Sequence, residues 1–259
     1  MKNDIPKLST ENLEVGYKGT TLLTVPDLTL NGGEVVALIG QNGVGKSTML
    51  RTLTREQKPI SGKVFIEGHD IATMSRRALA KKVAVVTTDR DISSGLLARE
   101  IVAMGRHPHS DLLSKFSKQD LNIVDQAMQQ TGIIHKADNF FDELSDGERQ
   151  KVLIARALAQ QTPVMILDEP FSFLDTAARI EILGLLTDVA KLNNTAILFS
   201  SHDVAQALRM ADYVWLITPE RKFLTGTPQE LIESHDIEKL FNSKNVQFDT
   251  EQSDFIAKK

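Results

Sequence analysis

The sequence predicts an α/β fold whose core is a mostly parallel sheet, and three observations lead there. A continuous apolar run at 35–39 feeds Gly40-Gln41-Asn42-Gly43-Val44-Gly45-Lys46-Ser47-Thr48, and a helical pattern starts at Met49-Leu50. A second apolar run, Val164–Leu167, ends in the adjacent carboxylates Asp168 and Glu169. Strand and helix patterns then alternate as far as Ile217, as parallel strands joined by crossover helices require.

The N-terminal elements are short. Residues 7–30 are β-like: Leu13, Val15 and Tyr17 alternate, as do Leu28 and Leu30 before the Asn31-Gly32-Gly33 turn. This stretch is expected to form an N-terminal antiparallel β subdomain. After the glycine-rich loop and its helix, Lys58-Pro59-Ile60-Ser61-Gly62 marks a turn. An alternating strand at 63–67 and an apolar one at Val83–Val86 come next. From about 89 to 160 the chain reads as a helical insertion, with Leu121, Val124, Asp125 and Met128 forming a stripe that runs to Gly132. The last helix of that insertion is expected at 151–160.

Beyond Val164–Leu167, a helix is expected at 177–192, a strand at 195–200, a helix at Val204–Met210 and a strand at Tyr213–Ile217. The tail then reads as a helix from Pro228 to about Phe241. A hairpin with Val246 and Phe248 facing Phe255 and Ile256 closes the sequence. The expectation is one domain over 1–259, with the insertion and the 228–259 tail as appendages.

Composition narrows the function classes. The 259 residues are 41% hydrophobic and 25% charged, enough apolar material for a core. With a net charge of −4 and no basic run, nucleic acid is not expected as a partner. The absence of cysteine removes disulfides and thiol chemistry and suits a reducing compartment. No stretch approaches the ~18–20 apolar residues of a membrane span. Met1-Lys2-Asn3-Asp4 lacks the apolar core of a signal peptide, so a cytoplasmic chain is expected.

The nine residues from Gly40 to Thr48 carry the first chemistry. Glycines let backbone N–H groups wrap phosphate at the positive end of a helix. In the pattern G-x-x-x-x-G-K-S/T, Lys46 reaches the β- and γ-phosphates and the Ser47 hydroxyl ligates Mg²⁺. The strand before and the helix after are the context that distinguishes this from an ordinary glycine-rich turn. A nucleoside triphosphate is therefore the expected ligand.

Asp168 and Glu169 fall at the carboxyl edge of the sheet, where the loop also lies. Asp168 suits Mg²⁺ held through water, and Glu169 suits taking a proton from an attacking water. Taken alone, two acids at a strand end would be surface residues; their pairing with Lys46 and Ser47 gives them work. In Leu144-Ser145-Asp146-Gly147-Glu148-Arg149-Gln150, Ser145 and Glu148 form S-x-x-E, a capping box. The same helix N-terminus, with Ser145 and Gly147, is also a second candidate anion site. Gly105-Arg106-His107-Pro108-His109 brings two histidines close, but a zinc site needs three or four ligands and no third is evident.

In this order the segments 40–48, 144–150, Leu167-Asp168-Glu169-Pro170, Ser172-Phe173-Leu174-Asp175 and Ser201-His202-Asp203 resemble the ATP-binding subunit of ABC transporters. The resemblance covers about residues 8–230. It implies a phosphate-loop NTPase core with ATP and Mg²⁺ as cofactors, and two copies clamped head to tail. Tyr17 resembles the aromatic that stacks on adenine, His202 the histidine that contacts the γ-phosphate, and Asp175 the loop aspartate that crosses the dimer interface. Ser145, Gly147 and Glu148 stand in the signature that meets the other subunit's ATP, where Asp146 replaces the family's first glycine. After strand Val83–Val86 the family carries a glutamine near Mg²⁺; here Thr88 stands there, followed by Asp89. Either a Thr88 hydroxyl acting through water or an approach of Asp89 to the metal would fill that place. The segment from Gly105 to His109 resembles one common in importers of iron–siderophore, haem and vitamin B12.

The resemblance further implies an ATPase subunit on the cytoplasmic face of the inner membrane. Its partners would be transmembrane permease subunits and, indirectly, a substrate-binding protein. The alternative is a soluble ABC-type ATPase not linked to transport, but such proteins carry paired cassettes, a long coiled coil or a basic surface, and this chain has none. A phosphate-loop kinase would leave the signature and His202 without a role. A non-catalytic regulatory subunit would agree with Thr88.

Overall fold

The computed structural model describes residues 5–87, 95–110, 116–240, 246–250 and 254–257. Strands between residues 8 and 226 form two sheets that share a hydrophobic core. The first sheet contains β1 (Leu8–Tyr17), β2 (Thr20–Thr24), β3 (Thr29–Leu30), β5 (Ser61–Ile66) and β6 (His69–Asp70). Its order is β2-β1-β5-β6 with β3 also on β1, and every pairing is antiparallel. The second sheet contains β4 (Val35–Gly40), β7 (Val83–Val86), β8 (Val164–Leu167), β9 (Ala196–Ser201), β10 (Tyr213–Ile217) and β11 (Phe223–Gly226). Its order is β11-β10-β4-β9-β8-β7, parallel except for β11.

The apolar runs are explained by burial of both sheet faces. In β4, Val35, Ala37 and Ile39 enter one core while Val36 and Leu38 enter the other. β8 divides likewise, with Met165 and Leu167 on one side and Val164 and Ile166 on the other. The second core also takes Leu8, Leu13 and Val15 of β1 and Met49, Leu50 and Leu53 of α1 (Lys46–Leu53), which is held between the sheets.

The opposite face carries the helical insertion: α3 (Ala98–Ala103), α4 (Lys118–Gln130) and α5 (Asp146–Ala159). These helices occupy the crossover from β7 to β8. Val124 and Met128 of the expected stripe are buried, whereas Leu121 is 48% exposed. α6 (Thr176–Asn193) and α7 (Val204–Met210) complete this layer, and the short α2 (Arg76–Ala80) precedes β7.

Gly105-Arg106-His107-Pro108-His109 fastens the insertion to the end of α5. Arg106 is buried, donating to Asp120 at 2.9 Å and to the Ala159 carbonyl at 2.6 Å. His109 Nε2 meets the Gln160 carbonyl at 2.9 Å, and the His107 ring lies against Phe116. No group of three metal-ligating side chains exists among the described residues. No helix among them is long and apolar enough to cross a membrane.

Several boundaries differ from expectation. α1 starts at Lys46, not Met49, because Gly45 at φ 121° turns the chain directly into the helix. α5 starts at Asp146, not at residue 151, because the Ser145–Glu148 capping box fixes its first turn. Apolar periodicity registers neither start, since polar residues open both helices. The C-terminal helix stops as α8 (Pro228–Glu233), well short of Phe241. His235 takes a left-handed φ of 59°, and a separate 3₁₀ turn spans Ile237–Leu240. β11 is an addition to the expected elements. The hairpin of β12 (Val246–Asp249) and β13 (Asp254–Ala257) sets Phe248 against Phe255, with Val246 opposite Ala257 and Ile256 opposite Gln247.

Candidate active site

Sheet order places the site. β9 lies between β4 and β8, so the loop leaving β4 and the acids leaving β8 emerge at one edge, with Ser200 and Ser201 of β9 between them. Gly40 closes β4 against β10. A Cβ there would lie 2.8 Å from the Ile217 carbonyl oxygen and 2.9 Å from Val44, so only glycine fits. At the far end of the loop Gly45 is the N-cap of α1 and gives no side-chain cap, leaving the first-turn N–H groups of the helix free of one. Gln41, Asn42, Gly43 and Val44 form the arch between, and Ser47 and Thr48 lie in the first turn of α1.

Lys46 is buried, and its ammonium donates to the Gly40 carbonyl at 2.7 Å and the Gln41 carbonyl at 3.3 Å. Burial pulls its pKa below the usual lysine value, while the carboxylates of Glu169 and Asp168 act in the opposite sense. Those charges are felt at Lys46 because the loop and the end of β8 are neighbours.

Ser200 organises the acids. It is fully buried; its hydroxyl donates to Asp168 Oδ1 at 2.5 Å and accepts the Glu169 N–H at 2.8 Å. Asp168 is also fixed through its own N–H, which donates to the Val86 carbonyl at 2.8 Å. Glu169 has a left-handed φ of 45°, a conformation held only where surroundings impose it. The two carboxylates have different partners: Asp168 meets Ser200, and Glu169 meets Ser172 and His202. Glu169 Oε2 accepts from Ser172 at 3.1 Å and lies 3.0 Å from His202 Nδ1. These groups line a cleft of about 360 Å³ that also includes Phe171, Phe173 and Arg179. Asp168 lines a second cavity of about 270 Å³ with Leu50, Arg51 and Thr87.

The Tyr17 ring is 48% exposed, and its hydroxyl lies 2.6 Å from Thr48 Oγ1 at the start of α1. Thr88 and Asp89 lie outside the described residues, so the substitute for the family's glutamine has no geometry here. For Mg²⁺ the donor set suits a hard cation: the Ser47 hydroxyl and the Asp168 carboxylate supply oxygen only.

Ser145, Gly147 and Glu148 belong to another locality. The Glu148 carboxylate accepts from the Ser145 N–H and hydroxyl, both at 2.9 Å, and pairs with Lys136 at 3.2 Å. A Cβ on Gly147 would lie 3.1 Å from that of Ala178, so the start of α5 is seated on the start of α6. Asp175, the N-cap of α6, accepts from the Ala178 N–H at 2.8 Å. The side-chain hydrogen bonds of Ser145 join it to Glu148, and among the described residues no hydrogen bond of either residue reaches the Gly40–Thr48 loop.

Sequence reasoning missed Ser200 and the contact of Gln41 with Leu240, and it named Ser172 within its motif without assigning it a role. One signal for Ser200 was available: a hydroxyl at the end of the otherwise apolar run 196–199.

Known proteins resemble this chain in sequence and fold. The ABC transporter family matches residues 23–172. The achromobactin transport ATP-binding protein CbrD of Dickeya dadantii is 37% identical over 91% of this chain and 87% of its own length. The ferric enterobactin transport ATP-binding protein FepC of Escherichia coli is 34% identical over 93% of this chain and 89% of its own. Among solved structures, an inward-facing ABC transporter described as of metal-chelate type superposes with a TM-score of 0.81. It is 29% identical and covers 97% of this chain and 95% of its own.

Proposed function

This chain belongs to the ABC transporter family of ATP-binding proteins, and on that premise we propose that it is the ATP-hydrolysing subunit of an importer for an iron–siderophore, haem or cobalamin. The observation that carries the reading is the buried Lys46, on the loop leaving β4, at the same sheet edge as Asp168 and Glu169, which leave β8. A cation for phosphate, an acid for metal and an acid for water thereby share one edge. The whole of 1–259 serves as one ATP-binding unit.

Residues 40–48 wrap the triphosphate, with backbone N–H groups at the uncapped start of α1 facing its oxygens. Lys46 leaves its two carbonyls for the β- and γ-phosphates. Ser47, Asp168 and, by the family resemblance, Thr88 would hold Mg²⁺. When bound, the metal neutralises charge on the phosphate oxygens. Tyr17 supplies the face for adenine. Glu169 accepts the proton of the attacking water; His202, 3.0 Å away, orients that carboxylate and reaches toward the γ-phosphate. Ser200 holds Asp168 and the Glu169 backbone in register.

The partners are a second copy of the chain, a transmembrane permease pair and, indirectly, a substrate-binding protein. The subunit sits on the cytoplasmic face of the inner membrane, and nucleic acid has no part. Closure on ATP and opening after hydrolysis would drive the permease between its states. A dimer would account for a helix start, exposed at Ser145 and half-buried at Gly147 and Glu148, that among the described residues makes no hydrogen bond to the chain's own phosphate loop.

Mixed variants test this. Lys46→Ala leaves phosphate charge uncompensated, and Ser145→Arg obstructs the start of α5; each protein alone should be inactive. Mixed, they form a heterodimer with one site built wholly from intact halves, and hydrolysis should return, limited by random pairing. Cross-linking between residues 46 and 145 of different chains, dependent on ATP, is the parallel readout. Neither recovery nor cross-link would mean that the signature does not serve a second copy.

A further inference from the structure

The phosphate loop is tied to the C-terminal part of the chain by one side chain. Gln41 Nε2 donates to the Leu240 carbonyl at 2.5 Å, across 199 residues of sequence. Leu240 ends the 3₁₀ turn Ile237–Leu240, and both residues are buried in the main core with Leu231 of α8. This turn is therefore a fixed body. Gln41 in turn shares the work of holding Lys46, because its own carbonyl accepts from the ammonium alongside that of Gly40. The base of the loop has two fastenings: Gly40, pressed on the Ile217 carbonyl of β10, and Gln41, bonded to the C-terminal turn. The tip is different, since a Cβ on Gly43 would meet nothing within 4 Å.

We propose that Gln41 is a positioning residue which links nucleotide occupancy of the loop to the C-terminal turn at 237–240. When Lys46 leaves the Gly40 and Gln41 carbonyls for phosphate, the Gln41 peptide loses a charge-assisted partner and its orientation depends on the side-chain bond to Leu240. Binding energy spent on ordering the loop is then felt at 237–240. By linkage, the state of that turn feeds back on ATP affinity to the same degree. The link rests on ATP occupying this loop, as proposed above.

The test is the full-length Gln41→Met protein, which keeps side-chain length and removes the donor. Only the strengthening that ATP adds to this bond is read in binding, so the KM for Mg-ATP should rise, by at most the ~5-fold that the whole bond could supply. In the wild type, ATP should slow amide exchange across 237–240; in Gln41→Met that response should vanish. Gln41→Asn, an amide one methylene too short to reach Leu240, should behave as Met does, whereas wild-type behaviour in Asn would overturn the proposal. So would an unchanged KM, or a raised KM with the exchange response intact, since a role confined to folding would move stability alone. Failure of the wild type to bind ATP would instead sink the functional reading on which the inference stands.

Discussion

Two helices of this protein start at candidate anion sites, and their starts are built in opposite ways. α1 opens at Gly45, which has no side chain to offer its first-turn N–H groups. α5 opens at Ser145, whose hydroxyl accepts the Glu148 N–H while Glu148 reaches back to the Ser145 backbone. The first terminus is left open to a ligand and has a buried lysine beside it. The second is closed by its own carboxylate, whose pKa is held low mainly by the Ser145 N–H, with the Ser145 hydroxyl and Lys136 adding to it. An open terminus presents donors to phosphate. A capped one is stable by itself and presents negative charge, which weakens it as an anion site.

The largest expected effect lies on the open side. Glu169→Gln keeps the shape of the group at the end of β8 but cannot take a proton, so hydrolysis should fall by ~10²-fold or more. ATP binding should persist, because Lys46 and the loop are unchanged. Single-turnover hydrolysis measured beside nucleotide binding separates the two, and wild-type turnover would remove Glu169 from the role.

A smaller change sharpens the contrast from the other side. Glu148→Gln can still close the capping box but deletes the charge at the start of α5. If that terminus serves a triphosphate, apparent ATP affinity in the dimer should improve by ~3-fold, an order set by the helix-end charge effect of about 0.3–1 kcal/mol. Titration of hydrolysis against ATP reads this directly. An unchanged curve would mean that no phosphate approaches Glu148.

The smallest effect is on stability. Ser145→Ala removes the cap and should cost about 1 kcal/mol in denaturant unfolding at neutral pH. The sign of its pH dependence is set by Glu148. A carboxyl whose folded pKa is lowered stabilises the fold above its unfolded value, near ~4.3, and that contribution fades as pH falls through the folded pKa. The gap between wild type and Ser145→Ala should therefore narrow below about pH 4. A gap that widens in acid would contradict the assigned hydrogen bonds.

The sequence by itself determined the strand–loop–helix around Gly40 to Thr48, the acids ending β8, the capping box at Ser145, and the β10 and α7 boundaries. Each depends on neighbours a few residues apart, where covalent spacing and apolar period leave little choice. Tertiary structure decided what those pieces face. Ser200 stands between Asp168 and Glu169 only because β9 inserts between β4 and β8. The 3.0 Å contact of His202 with Glu169 spans 33 residues and joins the ends of β8 and β9. The C-terminal helix stops at Glu233 because the chain turns there to bury Ile237 and Leu240, which brings the Leu240 carbonyl to Gln41. Periodicity reports which faces are apolar. Which polar atoms meet across 30 or 200 residues depends on strand order and on how buried groups find partners, and neither is written in local pattern.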